Sequence, residues 1–129
     1  MSSSEGPGTG ADPVAEAWEE VRRQAEIGEV DKELVEAAHA DPVIGVLFPM
    51  VGHGSLQLSR CTKFPWSKDL PSVFPTLDGG FRIHRLYMRD KSWVADVSTP
   101  QEAVRFVRDN IPEGCGPAID GTPDQIAPL

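Results

Sequence analysis

His53, His84, Cys61 and Cys115 are the side chains in the middle and late parts of this sequence whose chemistry operates near neutral pH. A cysteine attacks as its thiolate, which a nearby imidazolium or cationic field supplies. Arg60 and Lys63 flank Cys61 and provide such a field. Cys61 is therefore the nucleophile to consider, with His53 and His84 as acid or base. Against this, Cys61 closes a stretch where a small half-buried thiol is the commoner outcome. The same four residues show no CxxC, HxxxH or HExxH spacing, so no metal is expected. No cofactor is expected either, because the glycines around His53 form neither a dinucleotide nor a P-loop pattern. Ser55 lies in Gly-His-Gly-Ser-Leu, which is not a nucleophile elbow.

The stretch best suited to a ligand runs from Gly52 to Ser67. Ser55, Gln57 and Ser59 alternate with Leu56 and Leu58, and Arg60, Cys61 and Thr62 lead into Phe64-Pro65-Trp66-Ser67. Apolar walls with a few hydrogen-bonding groups are what a small-molecule pocket requires. Ser59, Arg60 and Trp66 are the expected ligand-binding residues, joined by Arg82 and His84 where their side of a later strand faces the same way. Arg60 is the electrostatic anchor, since its planar fork binds a carboxylate or phosphate bidentately. The competing expectation is a solvent-facing strand with a structural tryptophan.

Charge is segregated along the chain. Residues 1–41 hold eleven acidic and three basic side chains, whereas residues 60–91 hold seven basic and three acidic ones. The total of −8 argues against a general nucleic-acid binder. A basic central segment either faces an anionic ligand or acidic peptide, or packs against the acidic helices so that the fields cancel. No apolar run is long enough to span a membrane, and the first ten residues lack a signal-peptide pattern. A cytoplasmic protein with two reduced cysteines is expected.

These residues need elements to position them. Residues 1–11 read as a disordered tail. Asp12-Pro13 starts an amphipathic helix with Val14, Trp18, Val21 and Ala25 on one face, ending at Gly28. Asp31 caps a second helix, and Asp41-Pro42 opens a short apolar turn stopped by Pro49. From Gly54 the period becomes two. A strand follows there, then one over 72–77 placed at an edge or bulge by Pro75. Asp78-Gly79-Gly80 turns into a long strand from Phe81, and Arg89-Asp90-Lys91 turns into Ser92–Ser98. Thr99-Pro100-Gln101-Glu102 is a capping box opening a helix with Ala103, Val104, Val107 and Ile111 as its buried stripe. The expected fold is one α+β domain over 12–120, followed by a frayed tail over 121–129. It comprises N-terminal helices, a four-strand antiparallel meander, and a C-terminal helix packed on one sheet face.

His53-Gly54-Ser55-Leu56, Ser59-Arg60-Cys61-Thr62, Phe64-Pro65-Trp66-Ser67, Asp78-Gly79-Gly80-Phe81-Arg82 and Gly114-Cys115-Gly116-Pro117-Ala118 together resemble a family of small uncharacterised actinobacterial proteins. That family is labelled as natural-product biosynthesis proteins. The resemblance covers about residues 30–122 and departs at Met50-Val51-Gly52-His53, where relatives often carry Trp-Thr-Ser-His. It implies an accessory role in a specialised-metabolite pathway beside other pathway enzymes, and the basic 60–91 segment, with no catalytic motif in view, makes a small anionic intermediate or a precursor peptide the expected ligand. A small cofactor-independent cyclase, isomerase or hydrolase using histidine is the alternative, marked by His53 and His84 sharing one cavity. A protein–protein adaptor using the acidic helix Asp12–Glu26 is the third.

Overall fold

A computed structural model of the chain describes residues 12–67, 70–85, 93–111 and 115–126. The N-terminal tail, the Arg89–Lys91 turn, Glu113-Gly114 and the last three residues lie outside them. Helix α1 (Pro13–Glu26) begins where Asp12 accepts a hydrogen bond from the Val14 N–H. It ends on Gly28 at φ +85°, where the Gly28 and Glu29 N–H groups return to the carbonyls of Ala25 and Gln24. That glycine-closed cap needs a left-handed residue, which explains Gly28. Asp31 caps α2 (Lys32–Ala40) through the Leu34 N–H. Thr99 caps α3 (Pro100–Asp109) through the Glu102 N–H, and the Glu102 carboxylate reaches back to the Ser98 N–H and the Thr99 hydroxyl.

Five antiparallel strands lie in sequence order: β1 (Phe48–Gly52), β2 (Ser55–Ser59), β3 (Pro71–Pro75), β4 (Phe81–Arg85) and β5 (Trp93–Val97). The expected meander therefore gains a strand at its start. The apolar stretch ending at Pro49 runs into β1, an edge position where proline removes no interior ladder donor. A second correction concerns β3, which is central and not at an edge. Its two prolines occupy its first and last positions, so the residues between them keep their donors. His53 and Gly54 have φ of +53° and +78° and form the two-residue turn between β1 and β2. Two positive φ angles match the twist of a tight hairpin, which accounts for the glycine beside the histidine.

Register assigns the faces. Leu56 pairs with Val73, Val73 with Ile83 and Ile83 with Ala95, so these residues share one side. Leu56, Leu58, Val73, Phe81 and Ile83 join Trp18, Leu34, Val35, Val104 and Val107 in a single apolar cluster. Val97 and Ile111 pack against it only partly buried. Helix α1 contacts β1, α3 contacts β3, β4 and β5, and α2 bridges the other two helices. Ser55, Gln57, Ser72, Phe74, Arg82, His84 and Asp96 take the opposite, outer side.

The turn between α2 and β1 is held by Asp41. Its buried carboxylate accepts from the Val43 and Ile44 N–H groups and from Arg108 Nη1 at 2.8 Å, tying this turn to α3. Gly45 crosses here against backbone: a β-carbon would lie 2.5 Å from the His39 carbonyl oxygen and 2.9 Å from that of Asp41. Gly45→Ala is expected to destabilise by about 2–3 kcal/mol through this overlap. Gly116→Ala, which meets nothing within 4 Å, should be close to neutral. A shift of the urea midpoint for the first and not the second checks this.

Candidate functional site

The Ser59–Ser67 segment is a hydrogen-bonded knot. Ser59 and Cys61 are both 0% exposed. The Ser59 hydroxyl donates to the Cys61 carbonyl at 2.8 Å and accepts from the Cys61 and Ser67 N–H groups, each at 3.0 Å. Ser67 Oγ in turn accepts from the Arg60 N–H. The segment is pinned from outside by the chain's C-terminal part. Cys61 and Ile119 form a parallel bridge, Ile119 N–H donates to the Arg60 carbonyl, and Lys63 N–H donates to that of Gly121. Thr62 Oγ1 donates to Asp120 and accepts from the Gly121 N–H. Residues 121–126 thus continue in regular contact and end in a short 3₁₀ turn (Pro123–Gln125), where fraying was expected.

The expected site residues are therefore divided between two places. Ser59 spends its hydroxyl inside the loop and faces no ligand. Arg60 has its backbone locked in the same knot, and Trp66 follows in it at φ +59°. Arg82 and His84 lie elsewhere, on the outer face of β4. Ser59 and Arg82 are two strands and four residues apart, about 16 Å by strand geometry. His53 sits exposed in its turn, about 15 Å from His84 by the same measure. The two histidines do not converge. Cys61 and Cys115 are free thiols, and Cys61 Sγ lies against Ser59 Oγ at 3.5 Å and the Lys63 carbonyl. No metal-holding group of three ligands occurs among the described residues.

Around Arg82 and His84 the outer face opens into a cavity of about 740 Å³. Phe74, Pro75, Leu77 and Val97 supply apolar surface, and Thr76, Asp78, Asp96 and Ser98 supply polar groups. Arg82 and Asp96 are direct cross-strand partners joined through both oxygens, Nε at 2.7 Å and Nη2 at 2.8 Å. This fork holds the Asp96 carboxyl below the usual carboxylate range, and the nearby His84 adds to the effect. The Thr76 hydroxyl and the Gly80 N–H lower Asp78 likewise. His84 packs edge-on against Phe74, ring centres 4.8 Å apart. A register shift between Ile83 and His84 sets His84 opposite Trp93. Sequence reasoning missed Asp96 as the partner of Arg82, because their pairing depends on strand register.

The charge segregation resolves locally. Arg22 pairs with Glu36 and Lys32 with Glu26 within the helical layer, while Arg82 pairs inside the sheet. None of the ion pairs found among the described residues joins the acidic helices to the 60–91 segment.

Fold and site together define a small antiparallel α+β domain with a locked loop at one end of its sheet and an open polar cavity on its outer face. No helix of the described residues is long and apolar enough to cross a membrane. The chain belongs to a family of unknown function, DUF6193, which it matches over residues 12–122. No curated protein and no solved structure matches it.

Proposed function

We propose that this chain is an accessory protein of a specialised-metabolite pathway that binds a small intermediate or a precursor peptide on the outer face of its sheet. The observation that carries this reading is the cavity built around the Arg82–Asp96 fork. Two guanidinium nitrogens are spent on Asp96, and Nη1, with no bond among the described residues, keeps its donors for a carboxylate or a peptide carbonyl. Phe74 and Leu77 offer the apolar contact that fixes such a ligand's body. The pathway assignment draws on the motif resemblance given above.

Two probes test the binding reading: p-hydroxybenzoate and the capped tripeptide acetyl-Ala-Phe-Ala-amide, followed by amide cross-peak shifts. Saturable shifts are expected at Phe74–Leu77, Arg82–His84 and Asp96–Ser98. Arg82→Ala should weaken binding about tenfold, as loss of a charge-assisted contact does. Shifts that avoid this face, or that survive Arg82→Ala unchanged, would overturn it. The pathway assignment fails if deleting the gene leaves the metabolite profile of its host unchanged.

A second reading has one observation behind it. His84 stands in the same cavity beside the ionised Asp96, which is a suitable place for an acid or base. On that reading His84 acts alone, and His53 takes no part.

A further inference from the structure

One atom of the Ser59–Ser67 knot is out of line with the rest. The N–H groups of Arg60, Cys61, Thr62, Lys63, Trp66 and Ser67 all donate within the protein. Trp66 Nε1 is buried and has no hydrogen-bond partner among the described residues. Buried polar groups are paired in the great majority of cases, and an exception calls for a physical reason. The same residue holds a left-handed backbone, φ +59°, which a bulky side chain adopts only where its surroundings enforce it. The knot supplies that enforcement. Two independent irregularities, one in the backbone and one in the side chain, thus fall on a single residue in a loop where six backbone N–H groups are bonded within the protein.

The neighbours indicate what would satisfy it. Phe64 is 72% exposed and stands edge-on to the indole, ring centres 5.3 Å apart and planes at 83°. Lys63 is exposed and makes no ion pair among the described residues. Among the described residues, an exposed aromatic, an N–H donor without a partner and a cation without an ion pair therefore occur within four consecutive residues.

We propose that the Phe64–Trp66 corner is a binding site for an apolar carboxylate. The carboxylate accepts from Trp66 Nε1 and pairs with Lys63, and the apolar body packs on Phe64. Indole N–H is a donor only, so the ligand group must be an acceptor, and Lys63 makes an anion the better one. Nε1 is sealed in the free protein, and in this proposal the exposed Phe64 ring beside the indole is the neighbour that rotates to admit the ligand. An exposed ring does so quickly and without disturbing the core. This site lies at the other end of the sheet from the Arg82 cavity and does not depend on it.

Hydrocinnamate is the probe, with hydrocinnamamide and phenylpropylamine as neutral and cationic analogues of the same shape. The readout is the indole N–H cross-peak of Trp66, assigned by its loss in Trp66→Phe or, should that variant not fold, by its displacement in Phe64→Ala. Hydrocinnamate is expected to move the peak saturably by about 10 mM, the range for a fragment of this size. The Trp18 indole peak should stay in place, because its N–H is already bonded to the Leu47 carbonyl. The amine should leave the Trp66 peak unmoved, and Lys63→Gln should weaken hydrocinnamate several-fold while leaving the amide's weaker binding unchanged. No movement with hydrocinnamate, or equal movement with the amine, overturns the proposal.

Discussion

Trp18→Ala is expected to remove about 4–5 kcal/mol of stability, close to the full stability of a marginal domain. Trp18 projects from α1 into the apolar cluster and is 1% exposed. Its ring leans on His39 of α2 with centroids 5.2 Å apart, and its Nε1 donates to the Leu47 carbonyl just before β1 at 3.0 Å. One side chain thus joins α1, α2 and the entry to the sheet. Truncation leaves a cavity among groups held by three elements, which cannot all close over it. It also strands the Leu47 carbonyl in an apolar setting. Trp18→Phe keeps most of the apolar volume and loses the hydrogen bond, so about 1–2 kcal/mol is expected there. Urea unfolding of the two variants checks both figures. A Trp18→Ala loss below about 1.5 kcal/mol, no more than a lone hydrogen bond contributes, would mean that α1 is not integral to the domain.

The helices were legible because their signals are local. Asp12-Pro13, Asp31 and Thr99–Glu102 cap as their types require, and each bond spans two or three residues. The strands were legible where alternation was clean, as in Leu56-Gln57-Leu58. β1 was not: Phe48, Pro49, Met50 and Val51 are apolar on both faces, so no period of two marks them. The placement of β3 failed for a different reason. Proline at a strand's ends and proline within it look alike until the register with both neighbours is known.

The candidate site was less legible, and the cause is long-range hydrogen bonding. Ser55, Gln57 and Ser59 alternate with leucines as a solvent-facing row does. Yet Ser55 and Ser59 are buried, with Ser55 donating to the Gly52 carbonyl and accepting from Gln57. What buries Ser59 is a loop fixed by bonds from Thr62 and Lys63 to residues 119–121, nearly sixty positions later. Neither polarity nor periodicity records such a contact. The motif Gly-Cys-Gly-Pro-Ala stands just before the segment that forms it, with Ala118 N–H bonded to the Val46 carbonyl. Two sequence blocks far apart are therefore halves of one structural unit.

That unit should depend on a single hydroxyl. Ser59→Ala is expected to destabilise the protein by about 3 kcal/mol, a fall in melting temperature of roughly 10 °C for a chain of this length. The Ser59 hydroxyl makes three hydrogen bonds, and alanine leaves the buried N–H groups of Cys61 and Ser67 and the Cys61 carbonyl without their partner. Alanine fills nearly the same space, so the loss reports on pairing and not on packing. Ser67→Ala removes only the acceptor of the Arg60 N–H and should lose about 1 kcal/mol. The Ser59 variant also carries a local signature. Amide exchange at Cys61 and Ser67 and alkylation of the Cys61 thiol should quicken well before global unfolding, since the loop opens first. An unchanged midpoint with unchanged Cys61 reactivity would show that the C-terminal segment alone holds the loop. Thr62→Val, which cuts the bonds to Asp120 and Gly121, would then become the more damaging change.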